Sequence, residues 1–338
     1  MSDYLFIPRT VKQALISKLS PHINMEHHTM ANQSPPQRTK TLFEKDGVSL
    51  MATILSSSLS TNSDDDDHEG IILTLYLHRH AEKNVINPTM ISLLVQALHV
   101  IDTHPLLIHT NNKALIITGF DHDNLKMCKF FGNGLDLEWM MKASNNQNNN
   151  GGAAPAGAAV SAATKGENPT SRMIETFNSQ VLAEILTLPF RTIAAINGHC
   201  IGAGLFLALA CDYRFMRTAR GYIQWPEARL GMRLTKGFAE LSKAKIGDYT
   251  VLREGLLTAK RYTSEEALSS GIIDYENPLE ELYSAAFRFA VEGLPESSSN
   301  PLDYFDPKAY SEMKVEIWCS SYRALKFGKV SDLPHSRI

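Results

Sequence analysis

The stretch from Thr192 to Asp212, Thr-Ile-Ala-Ala-Ile-Asn-Gly-His-Cys-Ile-Gly-Ala-Gly-Leu-Phe-Leu-Ala-Leu-Ala-Cys-Asp, constrains the fold more than any other part of this 338-residue chain. Thr192 to Ile196 reads as a short buried strand, the glycines after it as a tight turn, and the apolar run beyond Gly204 as a helix. Such a turn presents main-chain N–H groups at a helix start. Hydrogen bonds and the helix dipole there stabilise an oxygen that gains negative charge, without a cationic side chain. A dinucleotide-binding turn is the rival reading. It fails on its third small residue, since Leu207 stands where Gly or Ala is needed, and no acid ends a following strand at the usual interval.

Strand and helix signals alternate on either side of this segment. Leu42 to Glu44 and Val48 to Ile54 flank Asp46-Gly47, a hairpin signal, and Ile71 to Leu77 is a further apolar strand. Pro88 opens a helix whose Ile91, Leu94, Leu98 and Ile101 share one face, and the strand Ala114 to Thr118 follows. A second helix carries Ile174, Phe177, Val181, Ile185 and Leu188 up to Pro189. Downstream, 234–246, 249–257, 279–291 and 309–325 read as helices. Repeated β-then-α order predicts a layered α/β fold with a helix-rich C-terminal third.

Two segments read as insertions that cannot bury a core: the Ser/Asp run 56–69 and the Asn/Gly/Ala tract 144–166. The Asp64 to Asp67 run is expected to be a solvated loop, because adjacent carboxylates in a flexible run converge poorly on a metal. Lys plus Arg 33 against Asp plus Glu 36 gives a net charge of -3, which does not suit a nucleic-acid partner. The four cysteines lack a C-x-x-C pair, the histidines lack ligand spacing, and no cofactor or metal is expected. The most apolar stretch is broken by Asn197, His199 and Asp212, so no membrane span is expected. No G-x-S-x-G elbow, phosphate-binding lysine loop or H-E-x-x-H is present.

Five segments in order resemble the crotonase, or enoyl-CoA hydratase/isomerase, superfamily over roughly residues 40–295. They are Arg79-His-Ala-Glu-Lys-Asn84, Lys129-Phe-Phe-Gly-Asn-Gly-Leu-Asp-Leu137, the turn Asn197 to Gly204, Trp225-Pro-Glu-Ala-Arg-Leu-Gly231, and Leu257-Thr-Ala-Lys260 leading to Ala267 and Gly271. The resemblance implies a spiral of β-β-α turns followed by helices. It divides the chain into an extension 1–38, a catalytic unit 39–295 and a helical segment 296–338. It also implies a homotrimer or a dimer of trimers.

The resemblance further implies that the N–H groups of Leu135 and Ala203 hold a thioester oxygen, with Ala203 acceptable in place of glycine if its φ is negative. Glu227 falls at the position of a catalytic base, and apolar neighbours such as Trp225 and Leu230 are expected to raise its pKa. Hydratases of this kind carry a second glutamate where this chain has Phe206. With one carboxylate, the resemblance implies a Δ3,Δ2-enoyl-CoA isomerase, with Phe206 facing the base and excluding water. Other crotonase chemistry, hydration included, or an inactive CoA-binding scaffold are the alternatives.

Substrate contacts are expected from Ala81, Glu82, Asn84, Asn133, Asp136, Leu137, Gly202, Phe206, Pro226 and Leu230, with coenzyme A arriving as part of the substrate. Lys83 is a further candidate for CoA phosphate, with a solvated lysine the simpler reading, and His199 is read as packing. After Gly231, Met232-Arg-Leu-Thr-Lys236 departs from the glycine-rich continuation of hydratases, so the wall of the site is expected to differ. The terminal Ser336-Arg337-Ile338 resembles a peroxisomal address read by an import receptor, against a cytoplasmic alternative.

Overall fold

The computed structural model describes residues 38–56, 68–110, 112–150, 168–292 and 306–330. The expected N-terminal extension, most of both insertions and the terminal Ser336-Arg337-Ile338 lie outside these residues. Asp46 and Gly47 both have positive φ, 46° and 78°, as a two-residue turn between twisted antiparallel strands requires. They join β1 (Arg38–Lys45) to β2 (Val48–Ser56), which pairs antiparallel with β3 (His68–Leu77). From β3 onward the large sheet is parallel. Its order is β1-β2-β3-β4-β6-β8-β11, with β4 at Lys113–Thr118, β6 at Arg191–Ile196, β8 at Tyr213–Arg217 and β11 at Tyr275–Asn277.

A smaller sheet, ordered β10-β9-β7-β5, holds β5 (Phe130–Asn133), β7 (His199–Ile201), β9 (Ile223–Gln224) and β10 (Arg261–Tyr262). Each of β4, β6 and β8 in the large sheet is followed by a short strand, β5, β7 or β9, in the small one. That is the β-β-α spiral expected from the sequence. The two faces of the large sheet are both apolar, as strands of a covered parallel sheet must be. On one face Ile72, Ile116, Ile193 and Phe215 pack with Leu282 and Phe289. The opposite face, with Leu73, Leu115, Ile117 and Ala194, joins the main core.

Helices fill the spaces between spiral turns. Asn87 caps α1 (Pro88–Thr103), whose Ile91, Leu94, Leu98 and Ile101 are all buried. Next, α2 runs Leu137–Asn150, so the helix continues into the Asn-rich tract that the sequence assigned to a loop. The helix expected to end before Pro189 is built of α3 (Pro169–Phe177), a π-helical turn Asn178–Leu182 and α4 (Ala183–Thr187). Then come α5 (Ala203–Ala210), α6 (Lys236–Lys245), α7 (Tyr249–Thr258), α8 (Ser264–Ser269) and α9 (Leu279–Glu292). The last expected helix is divided at Trp318 into α10 (Pro307–Ile317) and α11 (Cys319–Phe327).

Candidate active site

The site forms where the ends of β5 and β7 meet the start of α5. In β5–β7 register Asn133 lies beside Ile201, a Cβ on Gly202 would stand 3.5 Å from the Cα of Gly134, and Leu135 and Ala203 line one cavity. Only glycine permits this approach. A Cβ on Gly132 would stand 2.8 Å from the Cα of Gly204, and one on Gly204 only 2.5 Å from the carbonyl oxygen of Gly132. Gly202 turns the chain from strand into helix with φ 50° and ψ -118°, a left-side conformation that costs a side chain dearly. Ala203 itself has no positive φ, which meets the condition its side chain imposes.

Two main-chain donors are left over by this arrangement. Ile86 forms a parallel bridge with Leu135: its N–H donates to Gly134 O (2.8 Å) and its carbonyl accepts from Asp136 N–H (3.0 Å). In such a bridge the N–H of Leu135 points the other way, towards the β7 side. Ala203 is the first residue of α5, so its N–H is among those that a helix start leaves without an intrahelical acceptor. Side chains of Asn84 and Asn197 hold the frame beneath. Asn84 Nδ2 donates to Leu77 O (2.9 Å) and Phe130 O (3.1 Å), while Asn197 accepts from Gly119 N–H at 3.0 Å.

A cavity of about 130 Å³ opens at this point, lined by Asn133, Gly134, Leu135, Leu137, Gly202, Ala203, Pro226, Glu227 and Leu230, all from segments picked out in the sequence. Glu227 sits in a tight turn, where its carbonyl accepts from Leu230 N–H (3.0 Å) and Met232 N–H (2.9 Å). Its Oε2 is buried and has no hydrogen-bond partner. Burial pushes its pKa up to about 7, against a smaller lowering from its own backbone N–H. Glu227 is the one carboxylate among the lining residues. The apolar lining is completed by Ile174, Ile201, Met232 and Phe238.

Several expected contacts are placed elsewhere. Phe206 is wholly buried and does not line the cavity; Phe238 stands between, because α6 packs over α5. Trp225 also turns away into the core, donating its indole N–H to Ser242 Oγ at 3.2 Å, so Leu230 alone of that pair lines the site. Asp136 caps α2: its Oδ1 accepts from Trp139 N–H (2.9 Å) and its Oδ2 from Asn87 Nδ2 (3.2 Å). Asn84 is buried in the frame just described. Ala81 and Glu82 lie on an exposed 3-10 turn, where Glu82 pairs with Arg79 at 2.5 Å. None of these four lines the cavity. His199 packs edge-on against Tyr222, 4.4 Å between centroids, and Lys83 Nζ lies 5.9 Å from the Phe130 ring centroid.

Met232, Arg233 and Thr235 do line the wall, and they belong to the segment where the sequence departs from hydratases. Ile174 and Phe238 carried no such signal, since an apolar residue on a helix face reads the same whether it meets core or cavity. Among the described residues no His, Cys, Asp or Glu cluster suits a metal ion, and no helix is long and apolar enough to cross a membrane.

The family model described as enoyl-CoA hydratase/isomerase matches residues 151–306, a range that contains Ala203, Phe206 and Glu227. Over that range the chain is similar to the crotonase superfamily. Similar to it is the peroxisomal enoyl-CoA delta isomerase 2 of Arabidopsis thaliana, 41% identical over 146 residues, 43% of this chain and 53% of that protein. Enoyl-CoA delta isomerase 3 of the same plant is 36% identical over 49% of this chain and 58% of its own length. The chain thus spans little more than half the length of these two curated relatives. An enoyl-CoA hydratase structure from Mycobacterium marinum superposes with a TM-score of 0.57 at 21% identity, covering 76% of this chain and 92% of that one. At that identity the likeness concerns the crotonase fold alone.

Proposed function

We propose that this chain is a Δ3,Δ2-enoyl-CoA isomerase, moving the double bond of a 3-enoyl-CoA to the 2-position. The observation that carries the reading is Glu227, a single carboxylate with an unpartnered buried oxygen, pushed up to about 7 in an apolar cavity beside the Leu135 and Ala203 N–H groups. In this reading the thioester oxygen accepts hydrogen bonds from those two N–H groups, which stabilise the negative charge as C2 loses its proton. Glu227 takes that proton. The electron pair spreads over the thioester and the former double bond, and Glu227 returns the proton at C4, leaving the bond between C2 and C3. A base with a pKa near 7 suits both halves of this exchange, because neither taking nor returning the proton is strongly uphill.

The names of the two Arabidopsis relatives support the same reaction class, and one of them is designated peroxisomal. We accordingly place the activity in peroxisomal fatty-acid oxidation, with coenzyme A as part of the substrate. The loop Ala81 to Asn84 remains the proposed contact for the CoA moiety, and a homotrimer or dimer of trimers the proposed assembly. Assays of the purified protein on 3-enoyl-CoA and on 2-enoyl-CoA test this. Conversion of the first to the conjugated thioester is the expected result. Hydration of the second without isomerisation of the first overturns it, and acyl-CoA binding with no turnover of either thioester identifies a scaffold.

A further inference from the structure

One wall of the cavity is a phenylalanine ring backed by a second ring that does not itself reach the cavity. Phe238, in the first turn of α6, lines the cavity and is only 4% exposed. Phe206, in α5, lies face to face behind it, with centroids 4.0 Å apart and planes 7° from parallel. Phe177 of α3 meets the Phe238 ring edge-on at 6.4 Å and 69°. The backbone beneath is equally confined. Phe238 N–H donates to the capping oxygen of Thr235 at 3.4 Å, and a Cβ on the preceding Gly237 would stand 2.9 Å from Leu325 Cδ2. The ring therefore has little freedom to swing out of the wall.

This wall bears on where water can stand. A bound water needs two to four polar partners, and its share of liquid volume is about 30 Å³. The cavity of about 130 Å³ has room for a few waters, yet most of its lining side chains are apolar. Thr235 Oγ1 is engaged at the helix cap, and Arg233, the other charged residue of the lining, donates to Val330 O at 2.6 Å. Apart from these, Asn133 and Glu227 itself are the polar side chains of the lining.

We propose that Phe238, held in place by Phe206, determines the reaction outcome by denying water a position beside Glu227, so that the proton taken from carbon returns to carbon. Phe238 is then a specificity-determining residue, and Phe206 acts through it as a positioning residue. The competing outcome is hydration of the 2-enoyl thioester: a water oxygen bonds to C3 as the water gives one proton to Glu227, the C2–C3 π pair moves onto C2, and Glu227 delivers a proton to C2, so that one water adds across the bond. Phe238 lines the same small cavity as Glu227, and Phe206 stacks behind it, so the ring fills space that such a water would need. The inference rests on the isomerase reading for its product, while the exclusion of water from Glu227 is measurable without any turnover.

The test compares the full-length wild type with Phe238→Ala, Phe238→Leu, Phe238→Gln and Phe206→Ala. Each protein is assayed on 3-enoyl-CoA and 2-enoyl-CoA, with the 2-enoyl and 3-hydroxyacyl products quantified separately. Glu227 is titrated in parallel by carbon-13 NMR of labelled glutamate. Phe238→Leu, still apolar, is expected to keep the wild-type product ratio and Glu227 titration, whatever its rate. Phe238→Ala, Phe238→Gln and Phe206→Ala are expected to shift the product ratio about tenfold or more towards the 3-hydroxyacyl thioester. In these three, the Glu227 titration moves down from neutrality towards the ordinary carboxylate range. A folded Phe238→Ala protein with unchanged product ratio and titration overturns the inference; should that variant not fold, identical behaviour of Phe238→Gln and Phe238→Leu does so. A wild type that isomerises nothing overturns the isomerase reading instead, and the titration still reports on the wall.

Discussion

Asp212 and Glu227 are both carboxylates withdrawn from water, and the protein treats them in opposite ways. Asp212 Oδ2 accepts from Thr192 N–H (2.9 Å), Thr192 Oγ1 (3.0 Å) and Lys314 Nζ (2.7 Å). Lys314, buried in α10, also donates to Phe190 O at 2.9 Å, and burial lowers its pKa despite the attraction of Asp212. Nearby Lys245, pushed down to about 8 by burial, donates to Cys211 O and lies over the Trp318 ring. These bonds tie Lys314 of α10 to the start of β6 and the end of α5. Glu227 instead has an oxygen with no partner, and its pKa moves towards neutrality. Compensated burial anchors structure, whereas uncompensated burial stores the reactivity that a proton shuttle needs.

The sharpest way to break this contrast is Glu227→Gln. On 3-enoyl-CoA it is expected to lower kcat about 10^3-fold or more, as measured by steady-state assay, because in the proposed mechanism the lost group both takes and returns the proton. Retained isomerisation would assign the chemistry elsewhere. Lys314→Met is expected to act on stability, at a cost of roughly 3 kcal/mol or more by urea denaturation, since it strands a buried carboxylate. Adding Asp212→Asn to that variant should recover part of the loss, whereas a neutral Lys314→Met would deny the ion pair its anchoring role.

The two carboxylates also differ in how pH reads them. The folded-state pKa of Glu227 is raised, so the folded protein binds more protons than the unfolded chain between about pH 4.5 and 7. Stability from this group is complete below that window, declines across it by about 1.4 kcal/mol per pH unit, and is constant above. The stability gap between Glu227→Gln and wild type should therefore open with rising pH to roughly 3 kcal/mol near pH 8, read from paired denaturation curves. Over the same window kcat/KM of the wild type should rise with pH as Glu227 ionises. A flat profile would mean the carboxylate is solvated. The smallest effect is a control: Thr263→Ala removes the capping box that Thr263 and Glu266 form at α8, with an expected cost of about 1 kcal/mol and no change in kcat.

Much of the fold was legible because its signals are local. The Asp46-Gly47 hairpin, the Asn87-Pro88 helix start and the strand–glycine–helix run at Ala203 each follow from backbone chemistry within a few residues. Interruptions were harder to read. The π-helical turn at Asn178–Leu182 and the break at Trp318 keep the apolar spacing of a continuous helix, so pattern alone does not reveal them. Likewise Asn84 and Asp136 stand in segments that resemble substrate contacts, yet their side chains go to Leu77, Phe130, Trp139 and Asn87.

By itself the sequence determined that a glycine-walled turn would leave main-chain donors at the start of α5, and that one glutamate, with no second acid at Phe206, would follow it. Those are properties of residue type and order along the chain. Only the tertiary structure decided which groups share the cavity: that Phe238 forms its wall with Phe206 behind, that Trp225 turns inward, and that Asp212 is satisfied by Lys314 from far along the chain while Glu227 is not. Such choices depend on how separate helices pack against one another, and a contact between distant residues leaves no mark on the local pattern of either.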